Sequence, residues 1–136
     1  MLSPKRQKYR KQFRGSFRKI AVKGDKLNFG AYGLKAMKSA WIKAREIESA
    51  RVIFARGTRK SGKYWFRIFP DKPFTKKPPE VTMGSGKGDV AYFVASVTPG
   101  KILFEINGLS KEESIKVLNN VASKLSVKTK VVSREI

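Results

Sequence analysis

The stretch Ala91-Tyr92-Phe93-Val94-Ala95-Ser96-Val97, Thr98-Pro99-Gly100-Lys101, Ile102-Leu103-Phe104-Glu105-Ile106 decides the fold class. Its two outer runs are rich in β-branched and aromatic residues, which suit strands. Between them, Pro99 and Gly100 occupy the two central positions of a type II turn. The expectation is a hairpin joining a strand at 90–97 to one at 102–106. Asn107-Gly108 then turns the chain, and Ser110-Lys111-Glu112-Glu113 reads as a capping box, with Ser at the N-cap and Glu three residues on. The helix it opens is expected over 111–124, with Ile115, Leu118, Val121, Ala122 and Leu125 on its core face. A last strand is expected over 127–132. Strands and helix follow one another without the regular alternation of a doubly wound sheet, so the class is α+β.

Working back toward the N-terminus, Tyr64-Trp65-Phe66-Arg67-Ile68-Phe69 is the strongest strand signal. Tyr64, Phe66 and Ile68 share one face; Trp65, Arg67 and Phe69 share the other, which Arg67 marks as facing solvent or RNA. A first helix is predicted over about 43–57 from Ala44, Ile47, Ala50, Ile53, Phe54 and Gly57 at helical spacing. Glu46 and Glu48 suit its N-terminal dipole, but Lys43 is a poor N-cap. Further back, Leu27-Asn28-Phe29 reads as a short strand. Gly30 and Gly33 break any helix there, and Trp41-Ile42 reads as core or as an anchor just before the first helix. Between the strong strand and the deciding stretch, the proline run 70–79 should stop the strand. A glycine-rich tip follows, Met83-Gly84-Ser85-Gly86-Lys87-Gly88. The reading is one domain, 1–136, with a basic arm at 1–23, a body at 24–136 and a tip loop at 70–90.

A chain of 136 residues with 40% hydrophobic content is long enough for a core and is no disordered polycation. Its 31 Lys and Arg against 10 acids give a formal charge of +21. Folding does not need such an imbalance and self-repulsion opposes it, so a polyanion is the expected partner, nucleic acid before membrane. With neither Cys nor His, zinc sites of those residues, Cys nucleophiles, disulfides and Ser-His-Asp chemistry are excluded. The first 23 residues carry nine cations and no acid, with Tyr9, Phe13 and Phe17 interleaved every four residues. That pattern fits an arm along phosphates, with its aromatics packing on the body or stacking on bases.

The tip resembles a phosphate-binding loop only superficially. The Walker pattern needs a glycine where Val81 stands and a hydroxyl where Gly88 stands. The dinucleotide pattern fails at Asp89. No cofactor and no metal is expected, and the carboxylates form no convincing catalytic pair. Small residues and exposed backbone N–H groups suit close approach to RNA instead, with Lys87 supplying charge.

Across its whole length the chain resembles the bacterial and organellar family of large-subunit ribosomal protein number sixteen. The resemblance rests on Met1-Leu2-x-Pro4-Lys5-Arg6 with Tyr9-Arg10-Lys11, then Phe29-Gly30-x-x-Gly33-Leu34, Trp41-Ile42 and Arg45-Glu46-Ile47-Glu48-Ser49-Ala50-Arg51. It continues through Gly62-Lys63-x-Trp65-x-Arg67-Ile68-Phe69-Pro70-Asp71-Lys72-Pro73, the tip, and Pro99-Gly100-Lys101-Ile102-Leu103-Phe104-Glu105. It implies an α/β-hammerhead-like α+β fold with a mixed sheet and two helices. The implied role is non-catalytic: binding 23S-type rRNA near the aminoacyl-tRNA site and the peptidyl transferase centre, and supporting late subunit assembly. Contact with A-site tRNA is implied, with P-site tRNA left open. The residues expected at rRNA are Lys5, Arg6, Lys8, Arg10, Lys11, Arg14, Arg18, Arg59, Lys60, Lys63, Arg67, Lys72, Lys76 and Lys77. Those expected near tRNA are Thr82, Met83, Gly84, Ser85, Gly86, Lys87 and Gly88. Many bacterial members carry Arg where Thr82 stands, and many have Thr where Lys43 stands. The expected partners are rRNA, tRNA and neighbouring large-subunit proteins, with no membrane, on a cytoplasmic or an organellar ribosome. Two other readings stay open on the residues alone: a free-standing RNA-binding module and an enzyme acting on RNA.

Overall fold

In the computed structural model the described residues are 2–5, 24–76 and 89–134. The elements in chain order are β1 (Tyr32–Ala36), β2 (Ala40–Lys43), α1 (Ala44–Gly57), β3 (Lys63–Phe66), β4 (Lys72–Lys76), β5 (Asp89–Val97), β6 (Ile102–Asn107), α2 (Lys111–Ala122) and β7 (Thr129–Ser133). Two helices and two sheets make the α+β class expected. Every strand pair is antiparallel. One sheet has the order β3-β6-β1-β7 and the other β2-β5-β4.

The expected hairpin between 90–97 and 102–106 does not form. The turn itself is as read: Gly100 has φ +95° and Lys101 N–H donates to Thr98 O at 3.2 Å. It carries the chain from one sheet to the other. Both strands are interior, β5 between β2 and β4 and β6 between β3 and β1, so neither has a free edge to offer its sequence neighbour. The proline run also holds a strand the sequence did not suggest. β4 contains Pro73, and it lies at the edge of its sheet, where a missing N–H is tolerated. Lys76 pairs with Asp89 in the β4–β5 register, so residues 77–88 join the two ends of a hairpin.

Helix α1 buries Ala44, Ile47, Ala50 and Phe54 on one stripe. Phe54 lies against the four-stranded sheet, with Tyr64, Phe66 and Phe104 at ring-centroid distances of 5.4, 5.9 and 5.4 Å. With Leu34, Ile42, Ile106 and Leu118 it forms the core, each side chain contributing about 1.5–3 kcal/mol by burial. Lys43 gives α1 no side-chain cap, while Glu46 reaches back to accept Lys43 N–H at 2.7 Å. Its other oxygen accepts Ser126 N–H, tying the start of α1 to the chain beyond α2. The Ser110 cap on α2 is present, accepting Glu113 N–H at 3.2 Å. The buried face of α2 is Ser114, Val117, Leu118 and Val121, rotated from the expected one, with Ile115 only half-buried. The rotation follows from the neighbouring helix, where Gly57 leaves room for Val117 and a Cβ would lie 2.6 Å from it.

A candidate nucleic-acid interface

Loop 24–30 lies over the face of the four-stranded sheet opposite Phe54. It is no strand, although Leu27-Asn28-Phe29 was expected to be one. Its N–H groups turn inward instead: those of Asn28, Phe29 and Gly30 all donate to Glu105 Oε1, at 2.9, 2.9 and 3.0 Å. Arg67 donates to the second oxygen, Oε2, and pairs with it. Glu105 is fully buried in the middle of β6. Burial by itself would raise its pKa. The N–H of Gly30, the Arg67 guanidinium and the N–H groups of Phe29 and Asn28 together outweigh that and hold the carboxyl below its ordinary value.

The glycines that seemed to be helix breakers serve this contact. A Cβ on Gly30 would sit 2.6 Å from Ile106 O, and one on Gly33 would sit 2.5 Å from Leu27 Cδ2 and 2.6 Å from Phe104 O. The loop can lie on β1 and β6 only because both side chains are missing. Further along, Gly24 O accepts Ile102 N–H. Leu2 packs against the core. The chain is therefore held on either side of 6–23.

The expected RNA contacts differ in their surroundings. Lys5, Arg59, Lys60 and Lys63 are exposed. Arg67 is largely covered, 16% exposed, and its charge is matched by Glu105. Lys72 lies over the Trp41 ring at 5.7 Å. The Lys76 backbone is in β4. Arg6, Lys8, Arg10, Lys11, Arg14, Arg18, Lys77 and the tip Thr82, Met83, Gly84, Ser85, Gly86, Lys87 and Gly88 lie outside the described residues, as do Tyr9, Phe13 and Phe17.

Arg59 and Lys60 share a groove of 620 Å³ between the helices with Arg56 and Lys116, over a floor of Ile53, Leu109 and Val117. Sequence reasoning passed over Arg56 and Lys116 because each looked like a solvated helix position. A second cleft, of 470 Å³, is lined by Lys26, Lys35 and Arg134, with Asp25. The face of β3 holds a third group that was missed in part. Phe29 stacks on Trp65 with centroids 5.9 Å apart and an interplanar angle of 23°, and the Arg67 guanidinium lies 5.3 Å from the Phe29 ring centre. An aromatic just before a Gly-x-x-Gly gave no local sign of this.

Among the described residues two ion pairs form, Glu48–Arg51 and Glu105–Arg67. No group of three carboxylates there is placed to hold a metal, and no helix is long and apolar enough to cross a membrane. The arrangement suits the binding of an extended anion across several basic surfaces.

A family model described as ribosomal protein L16p/L10e matches residues 4–132. The large ribosomal subunit protein uL16 of Fervidobacterium nodosum (strain ATCC 35602 / DSM 5306 / Rt17-B1) is 52% identical over 134 residues, covering 98% of this chain and 94% of that protein.

Proposed function

This chain belongs to the ribosomal protein L16p/L10e family, and from that premise we propose that it binds large-subunit rRNA beside the aminoacyl-tRNA site and the peptidyl transferase centre. It is a structural component of the ribosome and not an enzyme. It works in the large subunit, on the cytoplasmic ribosome, among rRNA and neighbouring ribosomal proteins. Its arm, with Lys5, Arg6, Lys8, Arg10, Lys11, Arg14 and Arg18, lies along rRNA phosphates. Arg59, Lys60, Lys63, Lys72, Lys76 and Lys77 extend that contact over the body. The tip, Thr82 to Gly88, reaches toward A-site tRNA, and the protein joins late in subunit assembly.

The observation that carries the rRNA contact is the exposure of the cations on the body. Thirty-one Lys and Arg face ten acids, and the one wholly buried carboxylate among the described residues, Glu105, is spent internally on Arg67 and loop 24–30. The remaining charge has no counterpart of similar size inside the protein, and rRNA supplies one. What supports the tip reading is the β4–β5 register, which brings both roots of 77–88 together at one end of the three-stranded sheet.

Sedimentation tests the reading. The protein should appear near-stoichiometrically in the large-subunit peak of a sucrose gradient and stay there at high salt. Recovery mainly at the top of the gradient at moderate salt would sink it. Replacing Lys5, Arg6, Lys8 and Arg10 by Ala should flatten the salt dependence of rRNA binding, each lost phosphate contact lowering the slope by roughly one.

A further inference from the structure

An exposed phenyl ring is by itself unremarkable on a protein surface. Phe29 is more than that. It is 52% exposed, yet its backbone is fixed on both sides by the N–H groups that Glu105 accepts, so the ring does not hang from a loose loop. Beneath it lie Trp65 and Arg67, two residues apart on extended chain and therefore on one face of β3. Arg67 N–H bonds Leu103 O, which carries the alternation past the end of β3. Lys63, Trp65 and Arg67 thus form one row of cation, indole and guanidinium, with Lys63 exposed. With both partners in contact, about half of Phe29 still meets solvent, 52%.

We infer that the exposed part of the Phe29 ring is a docking platform for one unstacked RNA base. The inference rests on the rRNA reading above and deepens it. A flat ring already stacked on indole offers a further base the same π-contact, and stacking is tolerant of base identity. The exposed Lys63 in the same row suits a phosphate beside that base. An apolar protein neighbour would gain nothing from Lys63 or from the charge of the surrounding chain. The ring is also preorganised, so docking a base orders nothing more on the protein side.

The test uses the full chain, an oligouridylate RNA, and an abasic oligomer of the same length and backbone, with binding followed by fluorescence anisotropy across a salt series. Phe29→Leu keeps an apolar side chain on Trp65 and leaves the backbone N–H bonds in place, so the fold is retained. It should weaken binding of oligouridylate by roughly 5- to 100-fold and leave the abasic oligomer and both salt slopes unchanged. Phe29→Trp should restore the wild-type affinity. Equal weakening of both oligomers, or no weakening of either, overturns the base platform while leaving the rRNA reading intact; the second outcome would assign Phe29 to a protein neighbour. If the wild type binds neither oligomer nor large-subunit rRNA, the rRNA reading fails and takes the platform with it.

Discussion

Replacing Glu105 by Gln probes the link between the core and this surface. The carboxylate is fully buried, and its two oxygens have different tasks. One accepts three loop N–H groups, and the other holds Arg67. Gln has nearly the same shape, and its single oxygen can still serve the loop. Its amide then turns NH2 toward the guanidinium, leaving a largely covered cation facing a donor. Breaking a buried pair from one side costs about 3–5 kcal/mol. Because Arg67 keeps 16% exposure, the lower end applies, about 3 kcal/mol. With an unfolding entropy of about 2.1 cal/mol/K per residue, that lowers the melting temperature of a chain this long by roughly 10 °C. Circular dichroism at pH 7 reads it directly.

The pH dependence gives an independent check with a definite sign. The folded carboxyl titrates below its ordinary value, so the unfolded chain takes up this proton more readily than the native state. Its stabilisation is complete above about pH 4.5 and is lost as the pH falls through the lower folded value. The gap between wild type and Glu105→Gln should therefore narrow in acid. A melting temperature within about 2 °C of wild type at pH 7, or a gap that does not narrow in acid, would refute the account of the clamp.

Three further outcomes follow from the geometry. Gly30→Ala should destabilise by about 1–3 kcal/mol, because its Cβ meets backbone at Ile106 O, which cannot rotate away; denaturant unfolding measures it. Ser110→Ala removes the oxygen that accepts Glu113 N–H and should cost about 1 kcal/mol in the same assay. Replacing Arg59 and Lys60 together by Ala should lower the salt slope of rRNA binding by roughly two and leave the melting temperature unchanged, since both are exposed.

What the sequence made legible was local. The Ser110 cap, the Pro99-Gly100 turn and the apolar stripe of α1 each depend on residues within one turn of each other. The structure has them where they were expected. The misread parts depend on partners far away in the chain. A Pro-Gly turn reports its own geometry but not which sheet receives each arm, so β5 and β6 looked like a hairpin. Strand β4 was hidden by prolines that only an edge position tolerates. Strands β1 and β2 sit in a stretch whose glycines suggested a break, when their real constraint is the close approach of loop 24–30 to β6. The platform was half visible: Lys63 and Arg67 were picked out for charge, whereas Phe29 reaches Trp65 across more than thirty residues. The clamp had one sign in the sequence, a Glu set inside the apolar run Ile102 to Ile106.

That Glu is informative because carboxylates are scarce here. In a chain of charge +21, a surface acid would relieve repulsion at some small gain, since exposed pairs are worth about 0–1 kcal/mol. Buried in β6, the same carboxylate does three things at once. It takes up three loop N–H groups, of which that of Gly30 is buried and would otherwise lack an acceptor. It fixes Arg67 against the strand, and it thereby holds Phe29 over Trp65 and Arg67. It also sets a division among the cations. Arg67 is matched from within and serves to position its neighbours, while Arg59, Lys60 and Lys63 stay exposed for an external anion. Losing Glu105 should accordingly weaken RNA binding through misplacement of the platform. Losing the exposed cations weakens it through the loss of charge, and only the second should change the salt slope.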